Sequence, residues 1–203
     1  YAFIVMLLGY FQVCWVLDRK PASLPKDKER WPSVDIFIPT YNEPLDVVKP
    51  TVYAALTVDW PKEKLNVYIL DDGSRKEFKD FACEVGAGYI EREEHKHAKA
   101  GNINHAMGIT KGDFIAIFDC DHVPVKTFLQ KTMGWFLKDE KIALVQTPHH
   151  FYSQDPFEKN LHLKENVPNE NSLFHDFIQK GNDTWNATMF CGSCAIMRRK
   201  ALE

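Results

Sequence analysis

A run of apolar and aromatic residues, Phe114-Ile-Ala-Ile-Phe118, stops abruptly at two aspartates spaced one apart, Asp119 and Asp121. No other stretch constrains the chain as much. The run is too short for a helix of ordinary length and rich in β-forming residues, which predicts a strand buried on both faces. In an open α/β sheet, ligands sit just beyond the carboxyl ends of the strands. In extended backbone Asp119 and Asp121 project to the same side. Two carboxylates on one side suit a hard divalent cation such as Mg²⁺ or Mn²⁺, which prefers oxygen ligands and shares them with a phosphate. The same Asp-x-Asp spacing also fits a solvated turn, so the rest of the chain has to decide.

From Ser33 onward, short apolar runs alternate with amphipathic segments. Strands are expected at Val34–Ile38, Leu65–Leu70, Tyr89–Glu91, Phe114–Phe118 and Ile142–Gln146. Helices are expected between them: one with Val47, Val48, Val52, Ala55 and Leu56 as its apolar face and an interruption before Pro50, then 78–85, 100–109 and 127–137. Such alternation predicts a mostly parallel sheet with right-handed crossovers, flanked by helices. Thr40-Tyr41, Asp71-Asp72, Asp119 to Asp121 and Gln146-Thr147 all follow strand ends and are expected to converge on one edge. No G-x-G-x-x-G follows the first strand and no G-x-x-x-x-G-K-[ST] occurs anywhere, which removes dinucleotide dehydrogenases and P-loop ATPases. A further amphipathic helix is expected at 169–181, with Leu173, Phe174, Phe177 and Ile178 on one face.

Residues 1–17 contain Gln12 as the one overtly polar side chain, and a basic, proline-broken stretch follows at 18–32. This reads as the C-terminal part of a transmembrane helix, then a linker; a signal peptide or a core helix is the rival reading. Arg19, Lys20, Lys26, Lys28 and Arg30 place the domain of residues 33–203 in the cytosol by the positive-inside rule. The net charge of -3 gives no footing for a nucleic-acid partner. Five cysteines, an odd number with Cys191 and Cys194 as the one close pair, do not form a secreted disulfide framework. That pair suits zinc only if two further ligands join it, and otherwise reads as small residues in a tight turn. Trp60, Trp135 and Trp185 could stack on sugar rings, but core packing is the better reading for each.

Six motifs stand in one order: Pro39-Thr-Tyr-Asn-Glu43, Asp71-Asp-Gly73, His97-Ala-Lys-Ala-Gly-Asn-Ile-Asn104, Phe118-Asp-Cys-Asp-His122, Gln146-Thr-Pro-His149 and Phe190-Cys-Gly-Ser193. Together they resemble the family 2 glycosyltransferases, and within them the processive cellulose-synthase group of the bacterial inner membrane. The resemblance implies a GT-A fold and metal-dependent, inverting transfer of glucose from UDP-glucose to the non-reducing end of a β-1,4-glucan. Related chitin, hyaluronan or other glucan synthases, or a non-catalytic UDP-binding fragment, are the alternatives. By the same resemblance Thr40, Tyr41, Glu43, Asp71, Asp72 and Lys99 form the donor-binding set, with Tyr41 on the uracil and Lys99 on the diphosphate. Asp119 and Asp121 are the catalytic, metal-binding pair, and Phe190, Cys191, Gly192 and Ser193 meet the glucan acceptor.

His95 and His97 read as polar loop residues. The family's general base sits in a T-E-D motif and its acceptor contact in Q-x-x-R-W; neither occurs in this sequence. The resemblance further implies a membrane setting, a periplasmic accessory subunit and cyclic-di-GMP control in the full enzyme.

Overall fold

The computed structural model describes residues 1–150, 156–160 and 172–203. These fall into two compact units, one of Tyr1–Lys20 with Gln146–Phe190 and one of Pro21–Val145 with Cys191–Glu203.

The larger unit is built on a six-stranded mixed sheet. In chain order its elements are β1 (Val34–Thr40), α2 (Leu45–Leu56), β2 (Leu65–Asp71), α3 (Lys76–Val85), β3 (Gly88–Ile90), α4 (Ala98–Ile109), β4 (Phe114–Ile117), α5 (Phe128–Lys138), β5 (Leu144–Gln146) and β6 (Ala195–Arg198). The strand order is β3-β2-β1-β4-β6-β5. β1 pairs in parallel with β2 and β4, and β2 with β3, whereas β6 runs antiparallel to β4.

β1 is buried along its whole length, as a strand covered on both faces must be. Val34, Ile36 and Ile38 pack with Val48 and Val52 of α2, Phe78 of α3 and Leu129 and Met133 of α5. Phe37 joins Leu70, Ile115 and Ile117 in a second cluster with Ile103 and Ala106 of α4. The period of two along β1 thus divides the core between two helical layers.

Several expectations need correction. α2 is not interrupted before Pro50. Val48, Thr51, Val52 and Ala55 are buried on either side of it while Pro50 itself is exposed. Packing therefore outweighs the lost i→i−4 bond. β4 ends at Ile117, earlier than expected. The stretch from Pro21 to Pro32 is docked on the domain: Trp31 stacks on Trp60 with ring centroids 4.4 Å apart, and Lys64 donates to the carbonyls of Lys28, Glu29 and Trp31. Trp60 is accordingly a core residue, 4% exposed.

In the other unit α1 spans Ala2–Val13 with none of its residues buried. Among the described residues no helix is long and apolar enough to cross a membrane. Gln12 donates to Asn182, Arg19 pairs with Asp183, and Phe11 and Trp15 meet Trp185. Residues 169–171 of the expected amphipathic helix lie outside the described residues. Leu173–Gln179 is a π-helix that runs into α7 (Lys180–Thr184), with α6 at Pro156–Asn160. The changed period turns Phe177 outward and buries His175 and Gln179 instead.

At the amino end of β1, Asp35 is fully buried. Its carboxylate accepts from Asn66 Nδ2 at 3.0 Å, Gly112 N at 2.7 Å and Arg199 Nη2 at 2.9 Å. The same guanidinium reaches the carbonyls of Met107 and Gly112 and the Thr110 hydroxyl. A Cβ on Gly112 would stand 2.6 Å from the Asp35 carboxyl carbon, so only glycine lets its backbone come this close. Replacing Arg199 strands a buried carboxylate, a change that typically costs about 3–5 kcal/mol. Arg199→Ala is expected to lower the free energy of unfolding by about that much, read as a fall in the denaturant midpoint; an unchanged midpoint contradicts the role given to the pair.

Candidate functional site

At the carboxyl ends of β1, β2 and β4 the unit holds a cavity of about 510 Å³ lined by, among others, Thr40, Tyr41, Glu43, Asp72, Lys99, Asp119 and Asp121. The parallel register makes this juxtaposition. Thr40 stands opposite Asp71, and Asp72 N donates to Thr40 O at 2.9 Å, which lays the turn after β2 beside the turn after β1. Phe118 N donates to Phe37 O at 3.0 Å and carries β4 to the same edge. Gln146 and Thr147 belong to the other compact unit and are not in the lining.

β4 ends at Ile117, so Asp119 lies past the strand and Asp121 within the turn that follows. Strand alternation is therefore not what brings them together; the turn does. Both line the cavity, with side chains 38% and 66% exposed.

The two neighbouring aspartates after β2 have separate surroundings. Asp71 is fully buried and accepts from Gly73 N, Arg75 N, the Arg75 guanidinium and Tyr89 Oη. It holds its own turn and is absent from the cavity lining. Asp72 lines the cavity, clamped by Arg92 through Nε at 2.5 Å and Nη2 at 2.7 Å, the bidentate geometry that favours arginine. Arg75 also donates to the Thr40 hydroxyl, and that hydroxyl donates to Glu43 Oε2 at 2.8 Å. Tyr41 is 56% exposed, with its ring available at the cavity wall.

Lys99 donates to Asp119 and, at 2.6 Å, to Gly192 O. Ser193 is fully buried; its hydroxyl accepts from Asp119 N at 2.8 Å and bonds His122 Nδ1 at 2.7 Å. Gly192, at φ +86°, supplies the left-handed backbone of this turn. Cys191, Gly192 and Ser193 thus sit under Asp119. Phe190 belongs to the other unit, where it is 39% exposed.

Residues not foreseen as part of the site are Arg92, His95, Asn102 and Cys120. Arg92 stands in a glutamate-rich stretch that reads as solvated, and only the fold reveals its partner. Asn102 lines the cavity with Nδ2 donating to Leu70 O at 2.9 Å, while its buried Oδ1 has no hydrogen-bond partner among the described residues. His95 Nδ1 lies 3.7 Å from Asp72.

Burial, reinforced by Glu43, Asp121 and Asp119, pushes the Cys120 thiol up to about 12. Burial likewise raises Cys194 to about 11, against the Ser193 hydrogen bond. Neither is a thiolate near neutrality, so neither is a nucleophile there. Burial raises the Glu43 pKa, but hydrogen bonds from Tyr41 N–H and the Thr40 hydroxyl, with the amides of Glu43 and Asn42, outweigh it and hold the carboxyl below its ordinary value. A depressed folded value means that stability from these bonds is complete above the unfolded pKa and lost as pH falls through the folded one. Denaturant unfolding followed from neutral to acid pH is expected to show that loss in the wild type and a shallower acid limb in Glu43→Gln. Identical acid limbs would remove Glu43 from the account.

Comparison with known proteins gives the geometry a context. Residues 35–203 match the family model for Glycosyl transferase family 2. The chain is 60% identical over 203 residues to the UDP-forming cellulose synthase catalytic subunit of Xanthomonas axonopodis pv. citri, covering all of this chain and 28% of that protein. It is 57% identical over 202 residues to cellulose synthase 2 of Novacetimonas hansenii, covering 13% of it. The chain therefore spans between about an eighth and a quarter of the length of these relatives. Among solved structures, a mannosyltransferase from Pyrobaculum calidifontis in complex with GDP-Man and Mn²⁺ superposes with a TM-score of 0.57 at 23% identity, over 72% of this chain and 44% of that one. Glucosyl-3-phosphoglycerate synthase from Mycobacterium tuberculosis, with Mn²⁺, UDP and phosphoglyceric acid, gives 0.58 at 16% identity over 90% and 64%. These two likenesses speak for the fold alone, a mixed sheet flanked by helices of the GT-A type. With a GT-A type sheet and a family model matched from residue 35 to residue 203, the chain belongs to glycosyl transferase family 2.

Proposed function

We propose that this chain carries the donor-binding part of a cellulose-synthase-type enzyme, which transfers glucose from UDP-glucose to the 4-hydroxyl at the non-reducing end of a β-1,4-glucan with inversion. One observation carries the reading: a cavity at the carboxyl edge of the sheet joins an exposed aromatic residue, Tyr41, to a carboxylate with no lysine or arginine partner among the described residues, Asp121. An aromatic ring suits a base, and a free carboxylate suits a cation held with a diphosphate. The names of the curated relatives favour glucose and cellulose over other sugars and glycans.

In this reading Tyr41 stacks on the uracil, and Asp72, held rigid by Arg92, accepts from the uridine. Asp71 acts one step behind it by fixing the turn. Lys99, whose ammonium has a third donor beyond the two it uses on the protein, offers charge to the diphosphate. A divalent cation, Mg²⁺ or Mn²⁺, fits the oxygen-only donors of Asp121 and, once Lys99 is displaced, Asp119. When bound it supplies charge neutralisation for the departing nucleotide. The turn at Cys191–Ser193 lies against Asp119 and is the side from which an acceptor is met.

The apolar α1 belongs to the membrane in this reading. At about 1.5 Å per residue its 12 residues rise about 18 Å, short of the ~30 Å hydrocarbon core. The glucan acceptor, the periplasmic partner and the control by cyclic-di-GMP are carried over from the resemblance.

Titration calorimetry of UDP into the chain, with and without Mn²⁺, tests the site. Cation-dependent binding is expected, weakened at least ~10-fold, about 1.4 kcal/mol, by Asp121→Asn. UDP binding indifferent to both cation and substitution sinks the reading of Asp121. A panel of sugar nucleotides then tests the sugar, and a preference for an N-acetylhexosamine donor over UDP-glucose sinks the cellulose reading.

A further inference from the structure

Two roles given above to the cavity compete for the same atoms. Lys99 is the cation that meets a diphosphate, and Asp119 is a ligand for a metal ion. In the structure the two are bound to each other. Asp121, two residues on, has no lysine or arginine partner among the described residues; the ring of His122 comes within 3.9 Å of it through Nε2. Arg92 neutralises Asp72. The charge left open in the cavity is therefore that of Asp121 and of Glu43, whose carboxylate accepts from the Thr40 hydroxyl and Tyr41 N, together with a carboxylate already neutralised by an ammonium.

That ion pair is not a buried structural bridge. The two side chains are 37% and 38% exposed, in the range where such pairs contribute little to stability and separate readily. The Lys99 ammonium is held on its far side by a neutral backbone carbonyl, Gly192 O. Among the described residues nothing anionic other than Asp119 ties it. A diphosphate entering between Tyr41 and Asp121 competes for this ammonium with two charges against one.

From this we propose that Lys99 holds the cation's place on Asp119, so that Asp119 becomes available to a divalent metal ion only when a nucleoside diphosphate draws the ammonium away. The inference rests on the reading of the cavity as a diphosphate and metal site. Lys99 is then a positioning residue that couples the two ligands. Without nucleotide, a metal ion meets Asp121 alone and is repelled by the ammonium beside it. With nucleotide, it meets two carboxylates and the phosphates. Coupling of this kind is reciprocal, so the metal ion strengthens nucleotide binding by the factor by which nucleotide strengthens metal binding.

Free Mn²⁺, measured by electron paramagnetic resonance during titration of the chain with and without UDP, reads this coupling without any turnover. The wild type is expected to bind Mn²⁺ weakly alone and at least ~10-fold more tightly with UDP. Lys99→Gln, which keeps a donor for Gly192 O and loses the charge, is expected to bind Mn²⁺ alone roughly tenfold more tightly than the wild type, with a smaller gain on adding UDP. Lys99→Arg keeps the charge and is expected to keep the weak nucleotide-free binding.

Unchanged nucleotide-free affinity in Lys99→Gln, while UDP still promotes Mn²⁺ binding to the wild type, overturns the inference and leaves the site reading intact. Equal tightening in Lys99→Arg and Lys99→Gln also overturns it, since the effect would then follow shape and not charge. No Mn²⁺ binding to any of the three proteins, with or without UDP, overturns the site reading and the inference together.

Discussion

The buried carboxylate of Asp35 is the constraint on which the site depends, although it lies at the opposite end of the sheet. It is bonded to Asn66 of β2, to Gly112 at the entry to β4 and to Arg199 just past β6. Four strands are thereby referenced to one group on the central strand. A parallel pair can slide along its own axis, and each single-residue slip turns every side chain to the wrong face. Pinning β1, β2 and β4 at their amino ends fixes where their carboxyl ends emerge, about 17 Å from Asp35 to Thr40 along β1. Thr40 opposite Asp71 follows from Val34 opposite Leu65.

The two ends of the sheet treat charge differently. At the amino end, the Asp35 carboxylate meets a guanidinium, an amide and a backbone N–H, and the guanidinium is satisfied in turn by Met107, Gly112 and Thr110. Such closure is what burial requires. At the carboxyl end, Asp71 is closed in the same way and withdrawn from the cavity. Asp72 is paired yet faces it, Asp119 shares a lysine with a carbonyl, and Asp121 stands in solvent. The series from closed to open runs along one edge. It separates groups that hold the turns from groups left accessible at the cavity.

Much of this was legible in the sequence, because it rests on local patterns. The buried strands are short apolar runs, and the polar residues that end them mark the site edge wherever the strands are parallel. What failed did so for tertiary reasons. Nothing local says that Pro50 faces solvent in a helix whose other side is buried, or that Arg92 in a run of glutamates folds back on Asp72. Ala195-Ile-Met-Arg198 is too short to stand out as a strand, and its antiparallel place between β4 and β5 comes from pairing alone. The expectation that Asp119 and Asp121 share a strand face does not hold, since β4 stops at Ile117, although both residues line the cavity. Asp71 and Asp72 are identical in type and adjacent in sequence, and only the packing of Tyr89 and Arg75 separates their roles.

The missed strand explains why residues 74 positions apart meet at Asp119. β6 returns antiparallel along β4, with Ala195 opposite Ile117, so the turn before β6 must arrive where β4 ends. Gly192 and Cys194 both take left-handed backbone there, at φ +86° and +52°. Glycine does so without strain, whereas a side-chain-bearing residue does so at a cost the surroundings must offset. The offset is visible: Ser193 is fully buried, its hydroxyl holds the main chain of Asp119 and the ring of His122, and β6 locks the residues that follow. The 191–194 turn is therefore a scaffold beneath Asp119 and not a loop free to move past it. Asp119 is held through its backbone by Ser193 and through its carboxylate by Lys99, and both holders are bonded to that one turn. Whatever rests against the turn at Cys191 and Gly192 stands one residue from the carboxylate that faces the cavity. The physical link between the two sides of the site is a pair of hydrogen bonds and an ion pair, short enough for a displacement on one side to be felt on the other.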